Sequence, residues 1–192
     1  DRVSMDKIKG DLVHEYEHCL QYSANSPNDM YYAKVRLLKS MILKLRPKTY
    51  FTRIITLDFI ESLQKEGLAE YAKKNYANSI QLTEQSFNEY YSAAVLMCIT
   101  LKKHPILQQD NTANKLRMLS VKDILSADKE LYYSTYTSGL HMIQTILFVD
   151  KTATVEQLRK MPHIEFIRRY EDCIQRIGKQ PVISYNSSKG II

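Results

Sequence analysis

The sequence has little glycine and proline, with five residues of each in 192, and it has no tryptophan. Sheet proteins built from tight turns use glycine and proline heavily, so this scarcity argues against a sandwich or barrel. Long apolar runs are also missing, because the longest one, residues 93–99, is far shorter than the ~20 residues that cross a bilayer. The N-terminus shows no apolar signal core. We therefore expect a helical protein without a membrane span.

Cysteine is scarce as well, with three widely separated residues, Cys19, Cys98 and Cys173. Their odd number and the lack of a C-x-x-C pair argue against a disulfide framework and a cysteine-rich zinc site. All three lie on apolar helical faces or in the most apolar run, where thiols are commonly buried and unreactive. The cysteines therefore predict a reducing, intracellular environment, either cytoplasmic or nuclear.

What the sequence does contain is hydrophobic residues spaced three and four positions apart, which is typical of helices with one apolar face. This spacing predicts helices over residues 3–22, 30–45, 50–66, 83–103, 128–148 and 162–177, with shorter helices near residues 68 and 120. The predicted fold is all-α, a single compact bundle or a short helical-repeat array of about eight helices. Residues 1–179 form the predicted domain, and residues 180–192 form a flexible C-terminal tail.

The apolar faces of these helices also predict the hydrophobic core. Its expected members are Leu12, Leu37, Met41, Phe59, Phe87, Met97, Leu140, Ile143 and Ile174. On the first helix, the apolar stripe through Leu12, Tyr16 and Cys19 is expected to face this core. The opposite side, which carries Glu17 and Gln21, is expected to face solvent.

The sharpest local motif lies on that polar side, where residues 14–18 read His-Glu-Tyr-Glu-His and fit the pattern H-E-x-x-H. The pentapeptide resembles the motif of zincin metalloproteases. This resemblance implies that His14 and His18, one helical turn apart, bind Zn²⁺ and that Glu15 acts as the general base. The third ligand would be a downstream glutamate, with Glu61, Glu66 and Glu70 as the candidates.

The helical projection favours a different interpretation of the same residues. It places His14 and His18 away from the apolar stripe, so that both are surface residues on a solvated face. On this hypothesis the pentapeptide is a chance match, and no metal or other cofactor is bound. The sequence also has no Gly-rich phosphate loop, no G-x-S-x-G elbow and no second Glu-x-x-His for a di-iron site.

A second signal is electrostatic, because residues 30–57 contain no acidic side chain. Basic and aromatic residues interleave there: Lys34, Arg36, Lys39, Lys44, Arg46, Lys48, Arg53, Tyr50 and Phe51. Such a segment can follow a nucleic-acid backbone and stack on bases. Alternatively, the long cationic side chains lie over neighbouring apolar surface. The net charge of +6 does not decide between them.

One internal pattern resembles a known helical repeat. Over residues 67–87, small and aromatic residues follow the spacing of a tetratricopeptide-type helical hairpin: Gly67, Ala69, Tyr76, Ser79, Ile80, Ser86 and Phe87. The alternative is an ordinary helical hairpin.

Because no catalytic set is complete, the sequence favours a non-enzymatic helical interaction module, such as a scaffold, an adaptor or a subunit of a larger assembly. Its expected partner is another protein. The first alternative is a nucleic-acid-binding or nucleoprotein-assembly factor that uses the basic segment 34–53. The minor alternative is a zinc-dependent hydrolase that uses the motif at residues 14–18.

Overall fold

The computed structural model describes residues 4–24, 56–103, 129–186 and 190–191. The helices in these ranges are α1 (Met5–Ser23), α2 (Thr56–Tyr76), α3 (Glu84–Lys103), α4 (Lys129–Val149), α5 (Val155–Lys160) and α6 (His163–Arg176). Two short strands, β1 (Tyr185–Asn186) and β2 (Gly190–Ile191), pair antiparallel. The all-α class is confirmed, although the described ranges hold six helices rather than about eight. No described helix combines the length and apolar character needed to cross a membrane.

Some predictions fall on other parts of the chain. The helices expected over residues 30–45 and near residue 120 lie outside the described residues. The expected core residues Leu37 and Met41 lie outside them as well.

α4 is the central helix of the described structure. α2 and α3 both pack along it, α1 packs on α2, and α6 contacts α4 and α2. Because neighbours cover α4 on several sides, its middle is buried even at polar positions such as Ser138, His141 and Thr145.

The predicted core is largely confirmed. Phe59, Phe87, Met97, Ile143 and Ile174 are all buried. Leu140 is half-buried, since it lies at the edge of the packed face of α4.

α1 is oriented opposite to the prediction. It packs on α2 through a polar face whose buried residues are Gly10, His14, Glu17 and Gln21. Its apolar side is turned outwards: Leu12, predicted to be a core residue, is 63% exposed. Cys19, also predicted to be buried, is exposed. The prediction of a solvated histidine face is therefore wrong.

The polar face of α1 can be buried because its groups find partners. The Glu17 carboxylate accepts two hydrogen bonds from the Arg159 guanidinium of α5, each 2.8 Å long. Gln21 Nε2 donates to the Lys65 carbonyl oxygen at 3.0 Å. Lys73 Nζ of α2 donates to Asp11 at 2.8 Å. These contacts fix α1 against α2 and α5.

The sequence patterns do not predict α5, yet its start is well defined. Thr154 Oγ1 accepts a hydrogen bond from the Gln157 backbone N–H, and Gln157 Oε1 accepts one from the Thr154 backbone N–H. This reciprocal pair is a capping box, which satisfies two backbone donors at the helix N-terminus. α5 in turn presents Arg159 to α1.

α2 continues through Gly67, where the sequence predicts a helix end. Gly67 lies against Gly139 of α4: a Cβ on Gly67 would be 2.4 Å from the Gly139 carbonyl group. A Cβ on Gly139 would be 2.2 Å from the Leu63 carbonyl oxygen. Glycine is needed at both positions because the two backbones touch. Gly67 therefore marks a helix crossing and not a helix end.

An aromatic cluster surrounds His141 in the middle of α4. Its ring stacks on that of Tyr90, with 4.1 Å between the centroids, and meets the edges of Phe87 and Tyr170. Burial lowers the pKa of His141 to about 3. His141 is therefore a neutral core residue at physiological pH.

Part of the segment predicted as a tail contacts this cluster. The Val182 backbone N–H donates to the Tyr90 hydroxyl at 3.2 Å, and Ile183 is buried. Gln180 accepts a hydrogen bond from Tyr91 at 2.6 Å through its carbonyl oxygen. Residues 180–183 thus pack on α3.

We expect Gly139→Ala to lower the free energy of unfolding by about 1–3 kcal/mol, because the new methyl group would meet backbone that cannot move aside. Gly10→Ala is the matched control: its Cβ would lie 3.5 Å from the flexible Lys73 side chain. That change should stabilise the protein by up to about 1 kcal/mol through helix propensity. Urea denaturation of both variants measures the difference in the free energy of unfolding. Equal effects of the two substitutions would contradict the close backbone contact between α2 and α4.

We also expect His141 to contribute to acid sensitivity. The pKa of an unfolded histidine is about 6.5, above the folded value of about 3. The unfolded chain therefore binds the proton first, and stability falls as the pH decreases from about 6.5 towards 3. His141→Gln should make this fall shallower by up to about 1.4 kcal/mol per pH unit. Urea denaturation between pH 4 and 7 tests this, and identical slopes in both proteins would refute it.

A candidate metal centre

Three side chains converge where α1 packs on α2. His14 Nε2 lies 3.2 Å from His18 Nε2, and Glu66 Oε2 lies 3.4 Å from the first nitrogen and 3.3 Å from the second. Among the described residues, these three side chains form the one group of histidine, cysteine or carboxylate side chains that lie close enough together to hold a metal ion. The H-E-x-x-H spacing brings the two histidines together, and helix packing adds Glu66.

The triangle has the size of a zinc site. Tetrahedral bonds of about 2.0–2.1 Å to Zn²⁺ place neighbouring ligand atoms about 3.3–3.4 Å apart. The three observed edges of 3.2, 3.3 and 3.4 Å agree with this value. Glu66 Oε2 is also buried without a side chain that donates to it in hydrogen-bonding geometry. The residues therefore fit a zinc ion with one open coordination position.

Neighbouring oxygen atoms contact the outer nitrogen of each histidine ring. His14 Nδ1 lies 3.2 Å from Glu70 Oε1, and His18 Nδ1 lies 3.2 Å from Gln21 Oε1. The Gln21 amide is fixed because its nitrogen donates to the Lys65 carbonyl oxygen. The Gln21 acceptor favours the His18 tautomer that carries its proton on Nδ1, which leaves the His18 Nε2 lone pair free for a metal. The contact of His14 Nδ1 with Glu70 lacks hydrogen-bonding geometry and acts through charge.

Tyr136 of α4 contacts two of the three candidate ligands. Its ring stacks on that of His14, with 5.7 Å between the centroids and 13° between the planes. Its hydroxyl is a hydrogen-bond partner of Glu66 and also contacts the hydroxyl of Tyr132. Burial raises the pKa of Tyr136, so it stays a neutral hydrogen-bond donor. Tyr136 therefore supports the position of Glu66.

The electrostatics of the metal-free site show a competition between protons and a metal. Burial lowers the pKa of His14, but its contacts with Glu66 and Glu70 raise it by more, to about 9. Contact with Glu66 also raises the pKa of His18. Burial raises the pKa of Glu66, and its contacts with both histidines lower it by more, to about 2. Glu66 is thus ionised at neutral pH, and a bound cation would replace protons on the histidines.

An open cleft with a volume of about 500 Å³ adjoins the ligands. His14 and Glu15 line one side, and Tyr132, Tyr136 and Leu140 of α4 line another. Glu15, the general base in the zincin resemblance, is exposed to this cleft. His14 is the one candidate ligand that lines this cleft, so a substrate in the cleft would lie beside His14 and the Glu15 carboxylate.

The structure distinguishes the three glutamates that the sequence offers as a third ligand. Glu66 completes the triangle, Glu70 contacts the outer nitrogen of His14, and Glu61 pairs with Lys65. The other predicted site, the basic segment 34–53, lies outside the described residues, so its residues are not placed: Lys34, Arg36, Lys39, Lys44, Arg46, Lys48, Tyr50, Phe51 and Arg53.

The sequence contains a charge pattern that indicates how α1 packs on α2, although the apolar stripe of α1 favours the opposite orientation. Along α2, Glu66, Glu70 and Lys73 follow at intervals of four and three, so they share one helical face. That face complements the histidines and Asp11 of α1 in charge. A prediction that paired these two charged faces would have placed His14 and His18 in the interface between α1 and α2.

No protein-family model, curated protein or solved structure matches the chain. The tetratricopeptide-like spacing over residues 67–87 therefore stays a prediction.

We expect Glu70→Gln to weaken zinc binding about tenfold, because an amide holds the His14 ring less firmly than a carboxylate does. Glu61→Gln is the matched control on the same helix and should leave the affinity unchanged. Competition with a zinc-chelating dye measures both variants. Equal affinities of the wild type and Glu70→Gln, or an equal loss in Glu61→Gln, would contradict the assigned arrangement.

Proposed function

We propose that this protein is a zinc-dependent hydrolase that cleaves peptide bonds, the reaction implied by the resemblance of residues 14–18 to zincin metalloproteases. The observation that supports it is the triangle of His14, His18 and Glu66, whose edges match tetrahedral zinc. Structural zinc sites are closed by four protein ligands, whereas catalytic sites use three and keep one position open. A set of three ligands, of which His14 lines an open cleft, favours a catalytic site.

The side chains around the site have separate roles in this proposal. Zn²⁺, when bound, lowers the pKa of a water molecule to near 7 and polarises the carbonyl group of the substrate. Glu15 accepts the proton of the attacking water and returns it to the leaving amine. Glu70 and Gln21 hold the two histidine rings, and Tyr136 supports Glu66.

A non-enzymatic interaction module, which the sequence favours, is the second candidate function. The exposed apolar side of α1 supports it, because Met5, Leu12 and Tyr16 share one helical face and are each more than 60% exposed. Large apolar side chains that share one exposed face are typical of surfaces that contact another protein.

The decisive experiment compares metal binding with hydrolysis. The purified protein should bind one equivalent of Zn²⁺ and cleave members of an internally quenched peptide library, and a chelator should stop the cleavage. Glu15→Gln should retain zinc but lose at least about 100-fold in kcat, because it removes the general base. Glu66→Gln should lose both properties.

Glu156→Gln serves as the control, because this exposed carboxylate of α5 pairs with Lys160 and does not line the cleft. It should bind zinc and cleave peptides as the wild type does. A protein that binds no zinc, or a Glu15→Gln variant as active as the wild type, would contradict the proposal and leave the interaction module as the better candidate.

A further inference from the structure

We propose that the cleft beside the metal ligands continues into a groove that binds an extended peptide and selects an arginine side chain through Glu89 and Tyr133. This inference rests on the proposed function for the identity of the ligand. It adds the class of substrate and the residues that recognise it.

The groove consists of two adjoining clefts. The first, of about 500 Å³, contains His14 and Glu15. The second, of about 780 Å³, lies between α3 and α4 and contains none of the candidate metal ligands. Both clefts are lined by Glu89, Tyr133 and Thr137. A peptide that reaches the metal site can therefore continue past these shared residues into the second cleft.

The lining of the second cleft suits a peptide backbone. Asn88, Ser92 and Thr137 line it and offer neutral hydrogen-bonding groups. An extended peptide carries unpaired N–H and C=O groups that need such partners when water is displaced. Ala93 leaves space between them. The second cleft therefore offers hydrogen-bonding groups to a peptide backbone along a lining that is mainly apolar.

Glu89 is the exposed carboxylate at the junction of the two clefts. Its contact is with a neutral group, the Gln85 amide, which donates to Glu89 Oε1 at 3.0 Å. Two other charges along the groove are paired, Lys73 with Asp11 at 2.8 Å and Glu84 with Lys179 at 3.5 Å. Within the described residues, no lysine or arginine forms an ion pair with Glu89.

Tyr133 lines the same junction and is 67% exposed. A carboxylate and an open aromatic ring together match a guanidinium, which is planar, bonds carboxylates through two N–H groups and stacks on aromatic faces. A lysine ammonium lacks the planar shape. The shared junction therefore favours arginine over lysine, and favours either over a neutral side chain.

The test uses internally quenched peptides of one neutral sequence, in which a single arginine is moved through each position around the cleaved bond. Each arginine peptide is paired with its citrulline analogue, which has nearly the same shape but no charge. We expect one position at which arginine raises kcat/KM about tenfold over citrulline, in the range of a combined exposed ion pair and cation–π contact. Lysine should lie between the two.

Two variants test whether Glu89 is responsible for the preference for arginine. Glu89→Gln should reduce the ratio between the arginine and citrulline peptides to about threefold or less by lowering kcat/KM for the arginine peptide, because only the cation–π contact with Tyr133 remains. Glu165→Gln is the control, because this exposed carboxylate of α6 lines neither cleft. Equal rates for arginine and citrulline at every position, or a preference that Glu89→Gln leaves undiminished, would overturn the inference.

A binding experiment separates this inference from the proposed function. Fluorescence anisotropy of labelled arginine and citrulline peptides with the Glu15→Gln protein requires no catalysis. A preference for arginine in binding that is smaller when Glu89→Gln is added supports the groove even if the wild type cleaves nothing. Peptide cleavage without any preference for arginine would leave the proposed hydrolase function standing and would overturn the inferred arginine-binding groove.

Discussion

The close contact between Gly67 and Gly139 is the constraint on which the candidate site depends. Glu66 directly precedes Gly67, and Tyr136 lies about one helical turn before Gly139, so both side chains are placed by the same crossing. Tyr136 then stacks on His14, which ties the orientation of α1 to that point. A wider spacing between α2 and α4 would move Tyr136 away from Glu66 and His14, the two candidate ligands that it contacts.

The burial of a polar helix face follows from the partners available on α2 and α5. Burying charged groups is costly unless they are paired and hydrogen-bonded. Glu17 is 4% exposed but bonded through both oxygens to Arg159, and Gln21 joins His18 to the backbone of α2. The apolar side of α1 offers no comparable specificity, because apolar contact does not fix one rotation about the helix axis.

Hydrophobic spacing predicts most of the fold, and it fails where polar contacts determine which face of a helix is buried. It places α3 and α4 within about one residue of their ends and identifies buried residues such as Phe59 and Ile143. The same rule turns α1 the wrong way, because it weighs apolar residues and ignores the charges on a distant helix. The motif alone identifies His14 and His18, whereas the choice among three glutamates requires the packing of α1 on α2.

The hydrogen bonds between Glu17 and Arg159 join residues 142 positions apart. At roughly 5–20 residues per second, a ribosome needs roughly 7–28 seconds to extend the chain from one to the other. For roughly the last two thirds of that time the nascent chain contains His14, His18 and Glu66, while Glu17 still lacks its Arg159 partner. A chain truncated before residue 159 would carry every candidate ligand and lack the arginine that orients their helix.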